Sequence, residues 1–258
     1  MIDIENAHKQ FDKYVENFNP GVPKIKLKIE HIKRVANISR RIAENLNLDK
    51  EHIRLAELIG LFHDIGRFKQ VEIYDTYKDI DSVNHAELSI KVLFDDNLIK
   101  KFNIDTKFHN IIKKAVLNHN KNKIEDGLTS EELLFSKIIR DADKLDIFYI
   151  ISDKEYDFES IFWHNDFNCE KISDSIMEQF EQTKLINYND VRTNADQIVT
   201  FYAYTYDLYF DFSLKYLKEQ EYLEKFTARV KKEFKSELVK DQVNVLKGDI
   251  NNFLYKIK

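Results

Sequence analysis

Apolar residues in this chain recur mostly at intervals of three and four rather than two, the period of a helix and not of a strand. Along one stretch, Leu27, His31, Val35, Ile38, Ile42 and Leu46 are spaced 4, 4, 3, 4 and 4. Glycine (5) and proline (2) are too scarce in 258 residues to supply many tight hairpins or flexible linkers. An all-α fold is therefore expected. The pattern predicts helices over 4–18, 26–46 and 50–64, the third capped by Asp49 and stopped by Gly66. Residues 67–84 show no clear period and are expected to form a long loop. Asn84 is placed to cap a helix over 85–95, another helix covers 106–119, and Thr129 with Glu132 forms a capping box for a long helix over 130–151. Further helices are expected over 170–182, 192–218 and 220–235, with a shorter one near the end. No repeat, low-complexity tract or linker interrupts residues 1–258, so a single all-α domain is expected.

Polar groups fall where these helices should be buried. His31 lies on the inner stripe of its helix. His52, Ala56, Ile59 and His63 repeat the helical spacing, and Asp64 adjoins His63 at the helix end. Phe108, Ile112, Ala115 and His119 do the same, as do Phe135, Ile139, Asp143 and Ile147. A buried carboxylate without a partner costs several kcal/mol, so each needs one. Taken singly, such residues have ordinary partners: a core histidine commonly bonds a backbone carbonyl, and Asp143 has Lys144 or an arginine in reach. Four helices each turning a histidine or aspartate inward is a different pattern. Neutral imidazoles and carboxylates are the donors a divalent cation takes, and converging helix ends could supply them.

The doublet His63-Asp64 within LFHDIGRF, with His31 upstream and Asp143 within RDADKLD downstream, resembles the HD-domain metal-dependent phosphohydrolases. The likeness spans about residues 25–150, and YDTYKDIDSVNHAE, NHNK and IIRDADKLDIF are similar to one bacterial branch of that superfamily. It implies an HD-domain helical bundle over that core, followed by a helical extension over about 151–258. It also implies a divalent metal (Mn, Co, Ni, Mg, Fe or Zn) held by His31, His63, Asp64 and Asp143. His85 and His119 match histidines that hold a second metal or the substrate phosphate in some branches. Dimetal branches usually carry paired histidines, whereas Asn118 precedes His119 here.

The implied reaction is hydrolysis of a phosphoester of a small molecule, a nucleotide first among them, by metal-activated water. Asp64 would orient or deprotonate that water, and Arg67 and Lys144 are candidates for contacting substrate oxygens. The same scaffold has other uses: an HD-fold di-iron oxygenase, or a non-catalytic helical ligand-sensing protein. The aromatic band FYAYTYDLYFDFSLKYL is expected in the core or a homodimer seam rather than against a base, and Trp163-His164 in a packed loop or at a pocket mouth. His8, His52 and His109 join no motif. A net charge of −5 with dispersed Lys and Arg argues against a nucleic-acid partner, and no apolar run approaches membrane-helix length. The single Cys169 and the charged N-terminus, without an apolar leader, suit a cytoplasmic protein.

Overall fold

The computed structural model describes residues 1–163 and 166–256. Among the described residues are twelve α-helices with short 3-10 turns and one π-turn, and no strand. The chain divides into two compact units, Met1–Asp146 and Ile147–Lys258.

The first unit holds α1 (Ile4–Val15), α2 (Pro23–Asn45), α3 (Lys50–Phe62), α4 (Gly66–Tyr74), α5 (His85–Ile90), α6 (His109–Asn118) and most of α7 (Ser130–Ser152). The α2–α3 pair is its most extensive packing, and two small residues permit the close crossing. A Cβ on Gly60 would lie 2.5 Å from the Ala36 Cα. Ile32, Val35, Ala36, Ile42, Leu55, Leu58 and Phe62 fill the space between with no exposure above 1 %. Burial of a side chain of that size is worth roughly 1.5–3 kcal/mol. Asp49 caps α3 through the backbone N–H groups of Glu51 and His52. The Thr129–Glu132 capping box opens α7 with both reciprocal bonds, at 2.9 and 3.3 Å.

Two expectations fail in this unit. Gly66 does not stop a helix: α3 ends at Phe62, and Gly66 begins α4. The expected loop over 67–84 is helical as far as Tyr74. Its period was masked by Gln70, a polar residue on the inner face that satisfies itself on Asp79, Ser82 and the Val83 carbonyl. The glycine is needed for contact. A Cβ there would lie 2.5 Å from the Ser89 backbone nitrogen and 2.7 Å from the Leu88 carbonyl carbon, so α5 could not rest against the start of α4.

The second unit contains α8 (Asp174–Thr183), α9 (Asn194–Ala203), α10 (Asp211–Glu219), α11 (Tyr222–Glu233) and α12 (Glu237–Tyr255). Every residue of α9 is buried, so it runs through the core of this unit. Phe162, Phe201, Tyr202, Phe226 and Phe234 pack there, with ring centroids 5.4–6.0 Å apart in the pairs Tyr202–Phe226, Phe201–Phe226 and Phe162–Phe234. The single helix expected over 192–218 is instead α9, a 3-10 turn over Tyr204–Asp207, and α10. Tyrosine hydroxyls account for the break: Tyr204 meets Tyr188, and Tyr206 reaches Asp249 on α12. The last helix is not short but spans 19 residues. The aromatic band thus begins as core. Trp163 packs on Tyr188, while His164 lies outside the described residues. No helix among the described residues is long and apolar enough to cross a membrane.

Candidate metal centre

The turn His63-Asp64-Ile65 separates α3 from α4, so both side chains leave the chain where two helices meet. Because Gly66 lets α5 approach, His85, the first residue of that helix, reaches the same point. Asn84 caps α5 by accepting from the Ala86 and Glu87 backbone. His119 follows the last turn of α6, His31 lies midway along α2, and Asp143 midway along α7.

Two triads of ligand atoms result, His31–His63–Asp64 and Asp64–His85–His119, each with its atoms within 4.8 Å of one another. Asp64 belongs to both. Its Oδ2 lies 3.6 Å from His31 Nε2 and 3.5 Å from His63 Nε2. Its Oδ1 lies 3.4 Å from His85 Nε2 and 3.6 Å from His119 Nε2. Asp143 joins the first group from α7, with Oδ1 3.2 Å from His31 Nε2 and 3.7 Å from His63 Nε2.

In all four histidines Nδ1 faces an acceptor. His31 Nδ1 donates to Asp146 at 2.7 Å and His85 Nδ1 to Asp79 at 2.6 Å. His63 Nδ1 donates to the Gly60 carbonyl at 2.8 Å and His119 Nδ1 to the Val116 carbonyl at 2.6 Å. A neutral imidazole whose Nδ1 carries the proton turns a lone pair inward at Nε2. Those Nε2 atoms meet in pairs, His31 with His63 at 3.3 Å and His85 with His119 at 3.0 Å. Two lone pairs at that separation repel unless a cation or a proton stands between them. The Asp64 Oδ1 atom is buried with no hydrogen-bond partner, a costly arrangement that a cation would relieve. The donor set therefore fits divalent metal, with the orienting partners behind each imidazole that such ligands require.

The electrostatics agree. Burial would raise the Asp64 pKa, but the charges of Lys28, His63 and Arg67 hold its carboxyl well below the usual range. Asp143 is likewise held down by His31 and His63 against its burial. Burial lowers His63 despite Asp64 beside it. Burial and Arg67 push His85 down to about 3 in spite of Asp79 and Asp64, so its imidazole is neutral. Burial and Lys28 press His31 down as well, yet Asp143, Asp146 and Asp64 outweigh them and lift it to about 10.

The six histidines and aspartates named from the sequence thus come together. Arg67 borders them, its Nε 3.5 Å from Asp64 Oδ1, while its NH1 is spent on Gln70, the Tyr77 carbonyl and Asp79. Lys144 is buried on α7 at 5 % exposure, a poor position for meeting a substrate at a pocket mouth. Asn118 is structural: it donates to the Lys114 carbonyl and accepts from the Glu125 backbone. Of the histidines outside the motif, His8 pairs with Glu57, His52 with Asp49 and Glu131, and His109 packs on Phe94.

Four residues escaped sequence reasoning. Lys28 Nζ donates to Asp64 Oδ2 at 2.8 Å, one turn before His31. Asp146 sits three residues past Asp143, on the same face of α7, a spacing that could have revealed it. Arg34 grips Asp146 from α2 at 2.6 and 3.0 Å. Asp79 comes from the irregular segment before α5, where no periodicity points to it.

The family model for the HD domain matches residues 29–147, the stretch that contains every one of the converging histidines and aspartates. No curated protein and no solved structure matches the chain. HD-domain proteins are typically metal-dependent hydrolases. A histidine–aspartate doublet at a helix end, met by histidines from α2, α5 and α6, lies within the matched residues, and through them residues 29–147 are an HD domain.

Proposed function

We propose that the protein is a metal-dependent phosphohydrolase acting on a phosphoester of a small molecule, with a nucleotide as the first candidate. The observation that carries this is the pairing of four inward Nε2 atoms around one carboxylate, whose Oδ1 has no partner. His31, His63, Asp64 and Asp143 would hold one ion, and Asp64, His85 and His119 a second. Bound there, a divalent ion supplies a water of lowered pKa and neutralises charge on a phosphate oxygen.

The chain's own residues do the rest. Asp64 stays ionised at any ordinary pH, which suits a ligand and an acceptor of a water hydrogen bond more than a carrier of protons. The side chains with some exposure mark the open side: Lys28 and Asp143 at 16 % and Arg67 at 14 %. Lys28 and Arg67 both lie over the Tyr77 ring, at 5.3 and 5.6 Å, and put two positive charges beside Asp64. There they can hold the non-bridging oxygens of a phosphate, a role that suits the semi-exposed Lys28 better than Lys144. The partner implied is a small phosphorylated molecule.

The test is a panel of phosphate esters and nucleotides assayed with Mn²⁺, Co²⁺, Ni²⁺ and Mg²⁺, beside metal analysis of the protein. Hydrolysis that requires the added ion and vanishes in Asp64→Ala is the expected result. A carboxylate shared between two histidine pairs also suits two irons, so a di-iron oxygenase is the second reading. No hydrolysis on any ester, together with substrate-dependent oxygen uptake by the iron-loaded protein, would assign the site to it.

A further inference from the structure

Three of the four inward histidines are oriented from α-helices. The acceptors behind His31, His63 and His119 are Asp146 on α7, the Gly60 carbonyl of α3 and the Val116 carbonyl of α6. The fourth differs. Behind His85 stands Asp79, in a 3-10 turn on the segment that joins α4 to α5.

Asp79 fastens that segment as well. Its Oδ2 accepts from His85 Nδ1 at 2.6 Å and from the His85 backbone N–H at 3.3 Å. Its Oδ1 accepts from Arg67 and from Gln70, each at 3.0 Å, both on α4. Arg67 also takes the Tyr77 carbonyl, and Gln70 the Ser82 hydroxyl and Val83 carbonyl. This carboxylate therefore joins the Lys24 contacts to Asp75 and Tyr77 in fastening the segment, and it alone sets the proton on Nδ1 of His85. If the segment lifts, Nδ1 loses its acceptor. The ring proton is then free to sit on Nε2, where it would point at Asp64 and block coordination.

We propose that Asp79 is the positioning residue of the second metal position, and that closure of the segment over residues 75–84 and occupancy of that position are linked. Linkage is reciprocal: an ion between Asp64, His85 and His119 holds His85 in the orientation that keeps Asp79 seated, and a seated Asp79 raises the affinity for the ion. The first position, oriented from helices, carries no such dependence. This rests on the proposal that Asp64, His85 and His119 hold an ion.

Calorimetric titration of the full chain with Mn²⁺, beside hydrogen exchange of peptides over 75–84, tests it. The wild-type chain should take two ions, and exchange over 75–84 should slow with the second and not the first. Asp79→Ala should weaken the second event by about 10–100-fold, the usual cost of removing a carboxylate behind a ligating histidine, and leave the first unchanged. Retention of the first event shows that the variant is folded. Asp79→Asn keeps one acceptor for Nδ1–H while its amide NH2 would face the donors Arg67 and Gln70, so its second event should fall between wild type and Asp79→Ala. Ile80→Ser, at a neighbour 84 % exposed, should change neither event. Asp79→Ala binding two ions as the wild type does, or Asp79→Asn as weak as Asp79→Ala, overturns the positioning role alone. A wild-type chain that takes a single ion overturns it together with the two-ion site, and is seen without any variant.

Discussion

Asp64 and Asp196 are both buried carboxylates, one in each unit, and they are satisfied in opposite ways. Asp196 is fully buried and accepts from three backbone N–H groups: Ser173 on Oδ1 at 2.8 Å, and Arg192 and Thr193 on Oδ2 at 3.2 and 3.1 Å. With Thr193 it forms the capping box of α9. Asp64 accepts no backbone N–H among the described contacts. One oxygen meets Lys28 and the other has no hydrogen-bond partner, while four imidazoles face it. A carboxylate saturated by amides is a part of the fold. A carboxylate ringed by inward imidazoles, with an oxygen left over, is what a metal-binding site needs. The remaining burial differs in the same sense. The first unit buries His31, His63, His85, His119, Arg140, Asp141, Lys144 and Asp146, whereas the second is dominated by packed aromatic rings.

The largest effect that could break this comparison is on activity. Asp64→Ala should lower kcat/KM by on the order of a thousandfold or more, since it would remove the ligand common to both proposed metal positions. In chelator its melting temperature should fall far less than that of Val35→Asp, because loss of the Lys28 ion pair is offset by relief from burying a carboxylate with an unpartnered oxygen. Should Asp64→Ala retain full activity, Asp64 belongs with Asp196 as a structural group. Val35→Asp sets the scale for damage to the core. Val35 has no exposure and lies on the His31 stripe, so an aspartate there should cost about 3–5 kcal/mol by urea titration.

Asp196→Ala comes next. It leaves three partly buried backbone donors without their acceptor, and should cost about 1–3 kcal/mol with activity per folded molecule preserved. If it melts like the wild type, saturation by amides does not distinguish the two carboxylates. The smallest effect concerns a third kind of carboxylate. Glu125 stands near the surface between Lys114 at 2.7 Å and Lys121 at 2.6 Å. Those hydrogen bonds, Lys114 first, lower its pKa to about 2. A carboxylate with a lowered folded pKa stabilises above the unfolded value of about 4.3, and the contribution fades as pH falls through about 2. Glu125→Gln should therefore cost less than about 1 kcal/mol at pH 7, discounted for solvent screening, and nothing near pH 2. A difference that persists in full at pH 2 would mean that the side chain acts through packing rather than charge.

How much of this was legible beforehand depends on the kind of interaction. Helices α2, α3 and α6 follow from period-3.6 stripes, because each presents one apolar face to the core of its unit. The starts of α3 and α7 follow from their caps, which are local hydrogen bonds readable over four residues. Helix α9 was misjudged for the converse reason. It is buried all round, so it has no face, and its neighbour in sequence breaks away where tyrosine hydroxyls find distant partners.

The sequence by itself determined that the chain is helical, that His31, His63, His119 and Asp143 lie on inner faces, and that an HD doublet ends an apolar helix. These are consequences of spacing along one helix, and spacing is written in the chain. Only the tertiary structure decided that Asp64 stands between two histidine pairs, that Gly66 is a contact and not a stop, and that Lys28, Asp146 and Asp79 complete the surroundings. Each of these joins residues from separate elements, His31 to Asp146 across 115 positions and Lys28 to Asp64 across 36. Distances between helices are set by how small residues such as Gly60 and Gly66 let backbones approach. That geometry depends on the packing of whole faces, and no local pattern encodes it.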